Sequence, residues 1–410
     1  MKTQSLSRRQ FVSALGLGAA GALATARSAI AQENLQQKDA PKPDKPAKIK
    51  VPTRRLGKTG VDVSILSLGG IFDITSNQLV LQQALDWGVT YWDTAPSYTG
   101  GKSEEGIGMF FEKNPARRKE VFLVTKTGRR NPADMTEELN RSLERMKTDY
   151  VDMYFLHGLN STSALTDEIK AWAEKAKADK KIRFFGFSTH QNMEECLQGA
   201  AKLGWIDGIM LTYNYRIMNT DQMKAAVEAA SKAGIGLVAM KTQGRRTRST
   251  DEAAEAKLIE HFIQRGFSAE QARLKAVWEN QQIASICSAM YTISVLGANV
   301  AAAVDRTELT PQDRAALERA AAETCDGYCA GCTRLCEGAI GYAAPIGDVM
   351  RSLMYYHSYG DHAYAREIFA AIPAHVRQQL ARLDFSVAER VCPNKLPIAQ
   401  LVREATKLLA

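Results

Sequence analysis

Four polar residues stand directly behind short apolar runs, and their types together can perform acid–base chemistry. Trp92-Asp93-Thr94-Ala95 closes one run, with Tyr98 in the loop that follows; Thr125-Lys126 closes a second and Leu156-His157 a third. A tyrosine hydroxyl ordinarily titrates near ~10. An ammonium such as Lys126 beside it is expected to favour the phenolate and bring its proton-donating power toward neutral pH. Asp93 would hold that lysine charged and fixed, and His157 would orient a carbonyl oxygen for reduction. Taken singly, each residue reads as well as a salt bridge or a satisfied polar group. The chemistry lies in the set.

A second reactive group is the tail run Cys325, Cys329, Cys332 and Cys336, spaced C-x3-C-x2-C-x3-C, with Cys392-Pro393 well behind it. Four thiolates can hold a 4Fe-4S centre or structural zinc. In an oxidising compartment cysteines also pair as disulfides, though five cannot all pair within one chain. The fourth ligand of a cluster is either Cys336 or Cys392, and the thiol left over is free. Cys196 and Cys287 fall inside apolar helical patterns and read as small buried side chains. His357, His362 and His375 lack ligand spacing and read as packing or solvent-facing residues.

These residues need elements to position them. Apolar, β-branched runs at 64–69, 90–94, 121–126, 151–156, 182–188, 208–213, 235–241 and 291–296 predict eight strands. Amphipathic patterns at 77–87, 103–112, 134–147, 167–179, 191–203, 220–233 and 269–289 predict the helices between them. Apolar strands separated by helices pair in parallel with right-handed crossovers. Eight such units imply an α/β fold, a (β/α)8 TIM barrel whose chemistry gathers where strands end. A doubly wound sheet is disfavoured, because Gly69-Gly70 follows the first strand without a G-x-G-x-x-G fingerprint. Thr310-Pro311 starts one further helix. Beyond it lies a helical, cysteine-containing extension.

Composition narrows the partners. The 410 residues are 45% hydrophobic and 24% charged, as in an ordinary globular protein. The net charge of +8 sits mainly in residues 1–52, where nine Lys/Arg face three Asp/Glu. A nucleic-acid binder carries its basic charge on the folded domain, so no nucleic-acid partner is expected. Residues 1–31 read as a signal peptide: Ser7-Arg8-Arg9-Gln10-Phe11, an apolar Gly/Ala-rich stretch, then Ala29-Ile30-Ala31. The paired arginines match the twin-arginine export motif, which implies the export machinery as a partner, a periplasmic or otherwise exported location, and no membrane span in the mature chain. Residues 32–52 read as a flexible linker, 53–320 as the barrel and 321–410 as the extension.

The stretches DTAPSYTGGKSEEGIG (93–108), VTKTG (124–128), RSLERMKTDYVDMYFLHG (141–158) and GFSTH (186–190) resemble the aldo/keto reductase family. The resemblance implies the (β/α)8 barrel and a catalytic tetrad of Asp93, Tyr98, Lys126 and His157. It also implies hydride transfer from NADP(H) or NAD(H) to a small aldehyde or ketone, with Tyr98 as proton donor. For the cofactor it points to Ser188 and Thr189 at the carboxamide and to Lys241, Gln243 and Gly244 at the pyrophosphate. Met210 replaces the family's usual Gln, and Gly297-Ala298-Asn299 is a shortened form of the adenosine-phosphate loop. The tail resembles a subset of the family with ferredoxin-like cysteine runs and a closing Cys-Pro. Two further readings stand beside the reductase: an iron–sulfur-linked redox enzyme with weak or no nicotinamide use, served by an electron-transfer partner, and a non-enzymatic electron-transfer subunit.

Overall fold

The computed structural model describes residues 50–247 and 252–410; the leader and most of the linker lie outside the described residues. Val51, placed in the linker by its sequence, is buried, and its N–H donates to Trp87 O at 2.8 Å. A short hairpin, β1 (Thr53–Arg55) with β2 (Asp62–Ser64), opens the fold. Eight parallel strands then close a barrel: β3 (Leu66–Gly69), β4 (Tyr91–Asp93), β5 (Phe122–Thr127), β6 (Val151–Leu156), β7 (Ile182–Thr189), β8 (Gly208–Thr212), β9 (Gly236–Met240) and β10 (Ile283–Ala289). Neighbours in sequence are neighbours in the barrel, and β10 pairs with β3 to complete it.

Strand periodicity decides what faces inward. Tyr91, Phe122, Val124, Met153, Phe155, Met210 and Val238 form one interior cluster with Leu56 of the hairpin, which plugs one end. Trp92, Leu123 and Tyr154, their chain neighbours, face the surrounding helices. Side chains alternate along a strand, so the residues two beyond Tyr91, Val124 and Phe155 also point inward. Those residues are Asp93, Lys126 and His157.

Seven strands lie where the apolar runs predict them; the eighth does not. Residues 291–296 begin a helix (Ile293–Val304) capped by Thr292, and the strand is β10, inside the stretch read as helix. The preceding helix ends at Trp278, so Cys287 is a strand residue. Residues 283–289 (IASICSA) are small and weakly biased, whereas burial on both faces of the barrel wall fixes them as strand.

The helix Pro311–Glu323 starts at Thr310 with a capping box to Asp313. The extension that follows packs a hydrophobic cluster of its own, including Val349, Met350, Leu353, Phe369, Leu401 and Val402. It is bonded to the barrel mouth at several points. Thr247 N–H donates to Gly327 O at 2.7 Å, Asn214 to Tyr328 OH at 2.9 Å, Gln191 to Asp348 at 3.0 Å, and Ser358 to Arg246 O at 2.7 Å.

Gly186 on β7 has no room for a side chain, because a Cβ there would lie 1.8 Å from Gly208 O on β8. Gly186→Ala should therefore lower unfolding stability by ~2 kcal/mol or more through overpacking. Gly128→Ala, which meets nothing within 4 Å, should shift it by under ~0.5 kcal/mol. Urea titration of both variants checks the pair, and equal midpoints would contradict the barrel register.

Candidate active site

Asp93, Lys126 and His157 rise inside the barrel rim from β4, β5 and the end of β6. Lys126 Nζ donates to Asp93 Oδ2 at 2.6 Å and to Thr94 O at 2.8 Å, with both charged side chains almost fully buried. The same ammonium lies 3.3 Å from Tyr98 OH. Tyr98 sits on a short turn, Tyr98–Gly101, whose residues Thr99, Gly100 and Gly101 take positive φ. The two glycines allow this at little cost. The turn folds the phenol back over the barrel, edge-on to the His157 ring at a centroid distance of 5.9 Å. All four tetrad residues expected from the sequence thus converge.

Electrostatics assigns their protonation. Burial holds the Tyr98 hydroxyl well above its ordinary value, and the Asp93 carboxylate and Tyr364 add to the rise. The expected lowering of Tyr98 by Lys126 is therefore corrected: desolvation wins, and Tyr98 stays protonated. Burial also raises the Asp93 carboxyl, opposed by the Lys126 ammonium. His157 is held well below the usual imidazole range by burial, then by the charges of Lys126, Arg351 and Arg130. It is neutral at pH 7. Sequence reasoning did not single out Glu104, which is buried and accepts from Thr125 Oγ1 at 2.7 Å, next to Lys126 on β5. It falls within the 93–108 stretch, but its type alone suggested only a surface helix residue.

Above the rim lies a cavity of about 520 Å³ between barrel and extension. Its cations are Lys241 and Arg245 from the loop after β9 and Arg351 from the extension helix Ile346–Met354, with His190 and Thr212 beside them. Of the five residues expected at the cofactor, only Lys241 lines this cavity. Ser188 Oγ accepts from Gly158 N–H at 3.1 Å, and Thr189 Oγ1 donates to Gln191 O at 2.7 Å. Gln243 donates to Glu270 O at 3.2 Å, and Gly244, at φ +57°, turns the loop and accepts from Arg216 at 2.9 Å. Met210 belongs to the barrel interior, a packing role that accounts for a thioether there.

A second cavity, of about 370 Å³, is walled by Cys329, Cys332, Cys336 and Cys392, with Leu335, Ile346, Leu396 and Ile398 among its apolar sides. Cys325, placed first among the expected ligands, does not line it, whereas the distant Cys392 does. The reason is local: Cys325 belongs to a short turn right after the helix Pro311–Glu323, ahead of the loop that enters the cavity. Burial pushes the Cys332 thiol up to about 11 and Cys336 to about 12, with neighbouring thiols adding to both. All seven cysteines are free. Among the described residues no three His, Cys, Asp or Glu stand close enough to share a single metal ion. His357 pairs with Glu404 at 2.6 Å and His362 stacks on Tyr356, as packing residues do.

Comparison with known proteins agrees with this geometry. The model of the aldo/keto reductase family matches residues 68–289, from the end of β3 through β10. The uncharacterized oxidoreductase YqkF of Bacillus subtilis is 26% identical over 297 residues, 65% of this chain and 95% of that protein. The NADP(+) aldo-keto reductase yakc of Schizosaccharomyces pombe is 33% identical over 156 residues, 34% of this chain and 45% of its own length. The holo structure of aldo-keto reductase AKR11C1 from Bacillus halodurans superposes with a TM-score of 0.56 at 24% identity, covering 66% of this chain and 96% of that one. That likeness shows the same barrel. The chain belongs to the aldo/keto reductase family and is an oxidoreductase of that kind.

Proposed function

We propose that the chain reduces an aldehyde or ketone, with Tyr98 giving the proton to the carbonyl oxygen and His157 orienting it. The observation that carries this is the buried contact of Tyr98 OH with Lys126 Nζ at 3.3 Å, itself locked on Asp93. A neutral His157 can donate one hydrogen bond to a carbonyl oxygen without competing for its proton. Asp93 and Lys126 keep a positive charge beneath the oxygen, where negative charge develops on reduction.

Aldo/keto reductases generally use NADP(H). The residues around the upper cavity fit a dinucleotide's anionic part: Lys241 is half-buried and forms no ion pair with a carboxylate among the described residues, its Nζ donates to Tyr355 OH, and Arg245 lines the same cavity. Lys241 and Arg245 would hold the pyrophosphate, and the bound dinucleotide supplies the hydride. Oxidation of an alcohol is the same arrangement run backwards. A redox subunit that works without nicotinamide finds no support among the relatives.

Four thiols around one apolar cavity, drawn from two separated segments, are the support for a 4Fe-4S cluster here. Zinc would use the same four thiolates, and metal analysis of the purified protein distinguishes the two. We infer that Cys329, Cys332, Cys336 and Cys392 hold such a cluster and that Cys325 does not. The twin-arginine leader supports this reading, because it carries folded protein, with cofactors already in place, to the periplasm or beyond.

Tyr98→Phe should lower carbonyl reduction by NADPH about 10²–10⁴-fold while leaving the fold intact; a variant with most of its activity removes Tyr98 from the mechanism. His157 gives a pH test. Its folded pKa lies below the unfolded one, so the unfolded state takes up the extra proton below about pH 6.5. That contribution to stability is complete above this pH and is lost as pH falls, by about 1.4 kcal/mol per unit. Urea titrations from pH 8 to pH 5 should show the wild type losing ground to His157→Gln at that slope, and parallel curves would mean an exposed imidazole. Protein purified without oxygen should be brown with about four irons per chain. Cys392→Ser should bleach it and Cys325→Ser should not; the reverse result, or one zinc in colourless protein, rejects the assignment.

A further inference from the structure

The upper cavity carries two sets of cations from different parts of the chain. Lys241 and Arg245 come from the barrel. Arg351 comes from the extension, outside the 68–289 family match, and enters from the opposite wall with Met350 and Met354. No Asp or Glu among the described residues lines the cavity. Arg351 Nη2 reaches Asp348 at 3.3 Å, but that carboxylate also accepts from Gln191 at 3.0 Å. Arg351 Nε is buried and has no hydrogen-bond partner.

A buried guanidinium N–H without an acceptor is costly, and native proteins seldom leave one unless a ligand supplies the acceptor. The excess charge is felt by its neighbours. Arg351 contributes to depressing His157, His190 and Lys241, after burial in each case. A guanidinium fork matches a planar carboxylate, which can take two parallel N–H donors. Arg351 reaches the cavity from the extension, a separate element from the loop after β9 that carries Lys241 and Arg245.

We propose that Arg351, brought over the barrel mouth by the extension, binds a carboxylate on the substrate, so that the preferred substrates are carbonyl acids. Lys241 and Arg245 remain available to the dinucleotide phosphates. Around the carboxylate site, Met350, Met354 and Tyr328 offer apolar contact to the carbon skeleton. This rests on the reading of Tyr98 as proton donor, because the acid is bound as the substrate of that reaction.

The test compares each of glyoxylate, succinic semialdehyde and 4-carboxybenzaldehyde with its own methyl ester, which keeps the carbonyl and removes the charge. The full-length protein should favour at least one acid over its ester by about 10²-fold in kcat/KM, chiefly through KM. Arg351→Gln should collapse that acid-to-ester ratio toward one, and Arg351→Lys should restore part of it. Equilibrium dialysis of the same acids on Tyr98→Phe protein without added nicotinamide reads binding alone and should show the same preference. Dialysis separates the two readings: acid binding with an active Tyr98→Phe protein sinks the proton donor but not the carboxylate site. Equal rates and equal binding for acid and ester overturn the carboxylate site, as does an acid preference that survives Arg351→Gln and disappears in Lys241→Met. Should Arg351→Gln fail to fold, Arg351→Lys and the wild-type ratio still decide.

Discussion

The ion pair of Asp93 and Lys126 constrains everything above it. Removing two charges from water costs several kcal/mol per ion, and their attraction repays this only when geometry and extra hydrogen bonds are good. Here the pair closes at 2.6 Å with a second acceptor, Thr94 O, at 2.8 Å. Losing either partner would strand a buried charge, at a cost of about 3–5 kcal/mol. The barrel makes such a pair possible, because parallel neighbours β4 and β5 hold both side chains to one interior layer. Glu104 and Thr125 brace the same strand from its outer face. Tyr98 needs only to reach this fixed ammonium, and His157 completes the layer from β6.

Much of this was legible in the sequence because strand parity is simple. The runs YWD, FLVTK and VDMYFLH place Asp93, Lys126 and His157 in phase with the bulky interior residues two positions earlier. The loop after β4 was legible as the place of Tyr98, but the positive-φ turn at Thr99-Gly100-Gly101 was not. Nor was the eighth strand. Ala, Ser and Cys in β10 carry no strong preference, and only tertiary closure of the barrel decides their conformation. The protonation of Tyr98 was also misread, since the neighbouring ammonium is visible in sequence while the burial of the hydroxyl is not. Arg351 could not be found at all. It lies on an amphipathic helix whose pattern says only that one face is buried.

The extension changes what the barrel mouth can do. In an open barrel the rim residues meet water, which screens their charges and supplies missing hydrogen bonds. Here Tyr355, Tyr364 and Arg351 descend toward the rim, and the imidazoles of His157 and His190 lose most of their access to solvent. A drier site strengthens every electrostatic contact to a developing oxyanion. It also makes unpaired cations costly, so the arrangement favours states in which anions occupy the cavity.

Cys329 is a wall residue of both cavities. Its neighbours Gly327, Tyr328 and Gly331 carry bonds from Thr247, Asn214 and Asn192 of the barrel. One short strip of backbone therefore joins the walls of the thiol cavity and the upper cavity. Oxidative damage to the thiols would shift this strip, and with it a wall of the upper cavity, with no change to any residue of the tetrad.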